Sequence, residues 1–127
     1  MTRGGSQAAP RRLTLRERDV LVRMICEGFR GEPVPPGQDA EDRRRWLAQV
    51  DATQVLGTCG CGTCPTIDLA VTGIPDASAA PRVVLEGEVD RALVLLFVDA
   101  DRLSYLKLAP LDDTDFLELP PAGELRF

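Results

Sequence analysis

The spacing of apolar residues changes once along the chain, near Asp51, and no other feature constrains the fold as strongly. Before this point apolar residues recur about every 3.6 positions, as in an amphipathic helix. After it they recur about every second position, as in a strand with one buried face. The sequence therefore predicts an α+β fold, with two N-terminal helices packed on one face of an antiparallel sheet of about five strands.

The first predicted helix begins after Thr14, because Glu17 follows it at the spacing of a capping box. Either Gly28 or Gly31 is expected to end this helix. Its apolar residues fall on one side at about 100° per residue, which predicts one broad buried face. These residues are Val20, Leu21, Met24, Ile25 and Phe29.

The second predicted helix follows a proline-rich connector over residues 32–37, which no helix can cross. Asp39 is expected to cap this helix, which then runs to about Val50. Trp46, Leu47 and Val50 give it a narrow apolar stripe.

Five segments beyond Asp51 are predicted to be strands, and two of them, 66–72 and 82–90, alternate cleanly between apolar and polar residues. A third, 92–98, is continuously apolar and is predicted to be a central strand covered on both faces. Residues 1–12 are small, polar and basic and are predicted to be a flexible tail, whereas 13–127 form a single domain with an irregular tail from about residue 110. The predicted strands are 54–58, 66–72, 82–90, 92–98 and 103–109.

The chain of 127 residues contains no histidine and no asparagine, which excludes several classes of chemistry. A histidine-based catalytic triad and a two-histidine zinc motif are both excluded. Its single lysine, Lys107, does not lie in a glycine-rich loop, so a phosphate-binding P-loop is excluded as well, and no dinucleotide-binding glycine motif occurs. An enzyme is therefore not the favoured interpretation.

No apolar stretch exceeds the seven residues of 92–98, which is far too short to cross a membrane. The first twelve residues contain arginines but no apolar core of a secretion signal. We therefore expect a cytoplasmic protein without a membrane partner, and a reducing compartment in which cysteines are thiols or metal ligands.

Three cysteines lie within six residues, at Cys59, Cys61 and Cys64, between two predicted strands. Zinc in a structural site requires four ligands in a tetrahedron, and the segment supplies three. Cys26 on the first helix is the cysteine that would complete a four-cysteine site, with Asp68 or a water as the other candidates. The sequence thus indicates zinc as a candidate cofactor.

Other interpretations of these cysteines stay open. Cys61 and Cys64 have the Cys-x-x-Cys spacing of thiol redox proteins. The segment from Cys59 to Gly62 is similar to the tail motif of A-type iron–sulfur carriers, although in that family the motif closes the chain and here about half of the protein follows it. The simplest interpretation is that these cysteines are small reduced side chains in a tight hairpin and that Cys26 is a core residue.

The net charge of −5 is distributed unevenly. Residues 1–50 contain 10 basic and 7 acidic side chains, whereas residues 51–127 contain 5 and 13. Glu86, Glu88 and Asp90 are predicted to project from one strand face at intervals of about 7 Å, either as a solvated face or as a docking site for a basic protein. Nucleic-acid binding is not expected, because the chain lacks a basic face with aromatic platforms.

Three segments together resemble a group of small uncharacterised proteins of high-GC bacteria. They are the start of the first helix at 13–18, the cysteine-rich hairpin at 59–69, and a hairpin containing Leu103-Ser104-Tyr105-Leu106. The resemblance spans residues 13–109 and implies one compact unit, with no assigned activity.

These observations favour a small, non-enzymatic protein-interaction module that regulates or neutralises a partner. The alternatives are a zinc-stabilised domain and a thiol redox protein. The sequence makes no prediction about the oligomeric state.

Overall fold

A computed structural model describes residues 10–58, 65–73, 80–113, 116 and 118–127. Within these residues the fold is α+β, with two α-helices and one antiparallel sheet of seven strands. In chain order the elements are β1 (Arg11–Arg12), α1 (Leu15–Glu27), β2 (Phe29–Arg30), α2 (Pro36–Leu47), β3 (Thr53–Thr58), β4 (Ile67–Val71), β5 (Val83–Val89), β6 (Ala92–Asp99) and β7 (Arg102–Pro110).

The order of strands across the sheet is β1-β3-β4-β7-β6-β5-β2. Five of these strands, β3 to β7, coincide with the five predicted segments, with ends within one residue of the predicted ones. The described sheet nevertheless has seven strands rather than about five, because the two-residue strands β1 and β2 pair with β3 and β5 at its edges. Two residues show no alternation, so the sequence pattern does not reveal these strands. Arg11 and Arg12, placed by the sequence in the flexible tail, form β1.

Helix α1 begins as the sequence predicts. The Thr14 hydroxyl accepts a hydrogen bond from the Glu17 amide at 3.1 Å, and the Thr14 amide donates to the Glu17 carboxylate at 2.8 Å. The helix ends at Gly28, where a β-carbon would lie 2.5 Å from the carbonyl oxygen of Met24. Its buried face contacts β5 and β6. The buried residues are Val20, Leu21, Met24 and Ile25.

Phe29 was expected on the buried side of this helix, and that prediction is wrong. The residue lies in β2, and 61% of it is exposed. The chain leaves the helical path at Gly28, so the 3.6-residue period no longer determines where Phe29 points.

The N-terminal cap of α2 is Pro35, four residues before the predicted cap, and the helix runs from Pro36 to Leu47. Proline is well tolerated there because the first turn of a helix needs no amide donor. Asp39 therefore lies inside the first turn and is not the cap. Val50 is buried in a short 3₁₀ turn after the helix, at Val50–Ala52.

The sheet has one buried face and one face that is only partly buried. In β6, Val94 and Leu96 on the inner face are fully buried, whereas Leu93, Leu95 and Phe97 on the opposite face are half-buried. The prediction that β6 is covered on both faces is therefore wrong. Its continuous apolar run contributes to both faces of the sheet: alternate residues enter the core, and the others form an apolar band on the opposite face. We call this opposite face of the sheet the open face.

The last residues pack against the edge of the sheet. Leu119 and Leu125 are buried, and Arg126 forms a backbone bridge with Glu88 of β5. A 3₁₀ turn at Ala122–Glu124 lies between them. Neither helix of the described chain is long and apolar enough to span a bilayer.

Candidate protein-interaction surface

The predicted acidic residues lie on and beside β5, where Glu86 and Glu88 point to the open face and Asp90 follows in the turn to β6. All three are exposed, and they alternate with the buried residues Gly87 and Val89. Among the described residues, no basic side chain forms an ion pair with any of them. We call these three residues the acidic row.

Many other acidic side chains of the described chain are neutralised by arginine. On the surface, Glu17 pairs with Arg11 at 2.9 Å, and Asp51 pairs with Arg18 at 2.7 Å. The arginine ion pairs of the described residues therefore involve other carboxylates, and Arg126, which bridges Glu88 through the backbone, forms no ion pair with it.

A charge cluster connects α2 to β2 and to the turn between β6 and β7, and it was not identified from the sequence. Arg30 and Asp42 each expose only 8% of their side chains and form an ion pair at 3.0 Å. Asp42 also accepts a hydrogen bond from Arg45 at 2.7 Å, and Arg45 in turn pairs with Asp101. We call Arg30, Asp42, Arg45 and Asp101 the α2 charge cluster; the side chains of Arg30 and Asp42 are buried, whereas Arg45 is exposed.

This cluster holds its carboxylates in the ionised state. Burial raises the pKa of Asp42, but hydrogen bonds from Arg45 and Arg30 lower it by more, so its net pKa lies below the ordinary value. The pKa of Asp101 is lowered in the same way, with Arg45 and Trp46 outweighing burial. A carboxylate held ionised by arginine is a poor proton acceptor near neutral pH. The cluster therefore has the character of a structural network, although it borders a cavity of about 260 Å³.

The run of arginines at 43–45 and the acidic turn at 99–102 were both visible in the sequence. Their contact was not, because Arg45 and Asp101 are 56 residues apart and only the packing of α2 brings them together.

Strand pairing arranges the open face in rows. One row runs from Glu86 through Leu95 to Lys107, because Glu86 pairs with Leu95 and Leu95 with Lys107. The flanking rows contain Val84, Phe97 and Tyr105 on one side and Glu88, Leu93 and Ala109 on the other. The rings of Phe97 and Tyr105 meet edge to face at 5.6 Å between centroids.

A shallow cavity of about 560 Å³ lies on this face and includes Leu56, Asp68, Phe97, Tyr105 and Lys107 among its lining residues. The acidic row thus borders an apolar band that also exposes a cation, Lys107. The sequence indicated the acidic row, but it did not indicate which residues lie beside it.

The candidate zinc ligands Cys59, Cys61 and Cys64 lie outside the described residues. Cys26 is an exposed free thiol on α1, so the expectation that it is a core residue is wrong. It lies in a groove that is also lined by Asp39, Arg43 and Leu47 of α2. Within the described ranges no group of three or more cysteine, aspartate or glutamate side chains is arranged to hold a metal ion. The four-cysteine zinc site stays a prediction.

The chain matches no protein-family model, no curated protein and no solved structure.

Proposed function

We propose that this protein is a non-enzymatic interaction module that binds a basic protein partner through Glu86, Glu88 and Asp90, and thereby regulates or neutralises that partner. One observation carries the proposal: among the described residues the acidic row is exposed and forms no ion pair with arginine, whereas Asp42, Asp101 and several other carboxylates are paired.

Glu86 and Glu88 are held in place by the backbone of a strand inside the sheet, and Asp90 follows in the turn. Residues two apart on a strand are separated by about 7 Å and point to the same side. Arginine or lysine side chains of a partner that are spaced in the same way would each meet one carboxylate. Because β5 is paired to β6 along its whole length, little backbone entropy is lost when a partner binds.

The charge of the row also supports binding to a basic protein. Like charges that are not neutralised repel one another, and a cationic partner relieves this repulsion. Such attraction acts over about 10 Å at an ionic strength of 0.1 M and is screened at higher salt. Binding through the row should therefore be fast and salt-sensitive.

The test is a capture experiment with three forms of the full chain. The wild type is compared with a triple variant, Glu86→Gln, Glu88→Gln and Asp90→Asn, using a lysate of the organism that encodes the chain. A matched control, Asp19→Asn, Glu41→Gln and Glu124→Gln, removes three exposed carboxylates located elsewhere. We expect the wild type and the control to retain the same basic protein, and the triple variant to lose it.

The captured protein is then purified, and its affinity is measured between 50 and 500 mM salt, a range across which an interaction between several charge pairs should weaken by at least about tenfold. Equal capture by the triple variant would contradict the proposal, as would an affinity that does not depend on salt.

A further inference from the structure

The open face carries opposite charges on the two sides of one apolar strand. Glu86 of β5 and Lys107 of β7 both lie next to Leu95 of β6, in the same row. Both charged residues are exposed, and among the described residues neither forms an ion pair. A row in which Glu86 and Lys107 flank Leu95 is complementary in charge to a second copy of the same row that is rotated by 180°.

A twofold axis that runs along β6, above the open face, performs this turn. In the second copy, β5 then lies over β7 of the first copy, and β7 lies over β5. Each row of one copy faces the same row of the other, because the rotation does not shift the chain along the strand direction. Glu86 of one copy then faces Lys107 of the other, and the reverse pair forms by symmetry. Leu93, Leu95 and Phe97 lie on the central strand, so each faces its own counterpart.

The dimensions of two packed sheets fit this arrangement. Facing sheets lie about 10 Å apart, with strands aligned to within about 30°. A glutamate and a lysine side chain together span such a distance. About an axis along β6, three long strands of each copy overlap fully, β5, β6 and β7; at a spacing of about 4.8 Å, with seven residues that each rise about 3.3 Å, they give a face of roughly 14 by 23 Å. This area is smaller than that of a standard interface, which buries about 800 Å² per partner, and it fits a weak, reversible dimer.

We propose that a second copy of this chain packs on the open face through this twofold axis, with Glu86 pairing with Lys107 of the other copy on both sides of a shared apolar centre. The apolar centre consists of Val84, Leu93, Leu95 and Tyr105, all half-buried in the single chain, whereas the ring of Phe97 beside them is covered by the Arg82 guanidinium, 4.9 Å from the ring centroid. The second copy removes these side chains from water, and the two ion pairs determine its alignment.

The dimer does not depend on the proposed function, but it covers Glu86 and Glu88, so dimerisation and the binding of a basic partner through the full acidic row compete for the open face. The axis runs along the strands, so the turns between β5 and β6 of the two copies lie at the same end of the dimer. Asp90 of each copy stays at that end, available to a basic partner.

The test uses purified full chain without any partner, so its outcome is separate from that of the capture experiment. Sedimentation velocity is measured on the wild type at concentrations up to about 100 μM, where a Kd of about 10 μM yields mostly dimer. We expect a species of twice the 13.8 kDa chain mass.

Two charge reversals, Glu86→Lys and Lys107→Glu, then test the alignment. Each alone places like charges opposite each other at two symmetric positions, and should raise the dimer Kd by about tenfold or more. The open face of the Glu86→Lys variant is basic and that of the Lys107→Glu variant is acidic. When the two variants are mixed, a heterodimer should therefore form. The double variant in one chain should also regain the wild-type Kd. The control Glu41→Lys, on the exposed side of α2, should leave the Kd unchanged.

Three results would each overturn the proposal. The first is a wild-type chain that stays monomeric at the highest concentration. The second is a dimer that neither single reversal weakens. The third is a pair of weakened single variants that neither the mixture nor the double variant restores. All the substituted positions are exposed, and a thermal melt of each variant verifies that it is folded.

Discussion

The indole nitrogen of Trp46 donates a hydrogen bond to a carboxylate oxygen of Asp101 at 2.8 Å, which connects α2 to the tight turn between β6 and β7. The same carboxylate oxygen accepts from Arg45 at 2.7 Å. Gln49 adds a third contact, because its side-chain amide donates to the carbonyl oxygen of Asp101 at 2.8 Å. The turn is thus held by the helix.

Replacing Asp101 with alanine should destabilise the fold by about 2–3 kcal/mol, because the indole donor and the Arg45 guanidinium lose their acceptor. The measurement is urea unfolding monitored by the fluorescence of Trp46, the single tryptophan of the chain. Asp51→Ala is the matched control, since 85% of the Asp51 side chain is exposed and its ion pair with Arg18 should contribute less than about 1 kcal/mol. Equal losses in both variants would show that the contacts of Asp101 do not stabilise the fold.

Stability should fall when the solution is acidified below about pH 4. The pKa values of Asp42 and Asp101 are lowered on folding from the ordinary 3.8, so the folded state holds fewer protons than the unfolded chain in this range. Their contribution is therefore complete above the unfolded pKa and is lost as the pH falls through the folded one. Unfolding free energies at pH 7, 5 and 3 would measure the loss. Asp101→Asn should show a smaller loss than the wild type, and an identical pH dependence would refute this assignment.

Ala100→Gly should stabilise the protein by about 0.5–1 kcal/mol. Ala100 and Asp101 have φ angles of 52° and 64°, in the left-handed region that a two-residue hairpin turn requires and that alanine adopts at a cost. Glycine removes this cost. The free energy gained in the folded state exceeds the entropic cost of glycine's greater freedom in the unfolded chain. The melting temperature should rise, whereas Ala109→Gly in extended β7 should lower it. A decrease in both variants would contradict the prediction.

The zinc alternative predicts about one zinc ion per chain in protein purified without added metal. Cys61→Ser should abolish this metal, and a chelator should lower the melting temperature of the wild type. Cys26→Ser separates two forms of the site, because it lowers the zinc content only if Cys26 is the fourth ligand. A content below about 0.1 zinc per chain, with melting unaffected by chelator, would eliminate the alternative.

The redox alternative predicts a different result for the same cysteines. Thiol titration should reveal one accessible thiol that reacts well below the ordinary cysteine pKa of about 8.5. Cys61→Ser or Cys64→Ser should remove this reactivity, and Cys26→Ser should leave it unchanged. Four thiols with ordinary reactivity would exclude the redox alternative.

Local sequence patterns predicted the elements that depend on neighbouring residues. The capping box of Thr14 and Glu17 requires residues only three apart, and it forms as expected. The alternation of 82–90 placed Glu86 and Glu88 correctly on the side opposite Leu85, because strand geometry has a period of two whatever packs on either face. The start of α2 was missed because Pro36 and Asp39 are both acceptable near a helix N-terminus, and sequence alone does not choose between them.

By itself, then, the sequence determined the α+β class, the positions of the five longer strands and the exposure of the acidic row, all of which follow from patterns within short stretches of sequence. Only the tertiary structure decided that Asp101 meets Arg45 and Trp46, that Cys26 is exposed, and that Lys107 lies in one row with Glu86. These relationships depend on the order of strands and on the position at which α2 packs. Long-range packing energy selects both, and no local pattern encodes it.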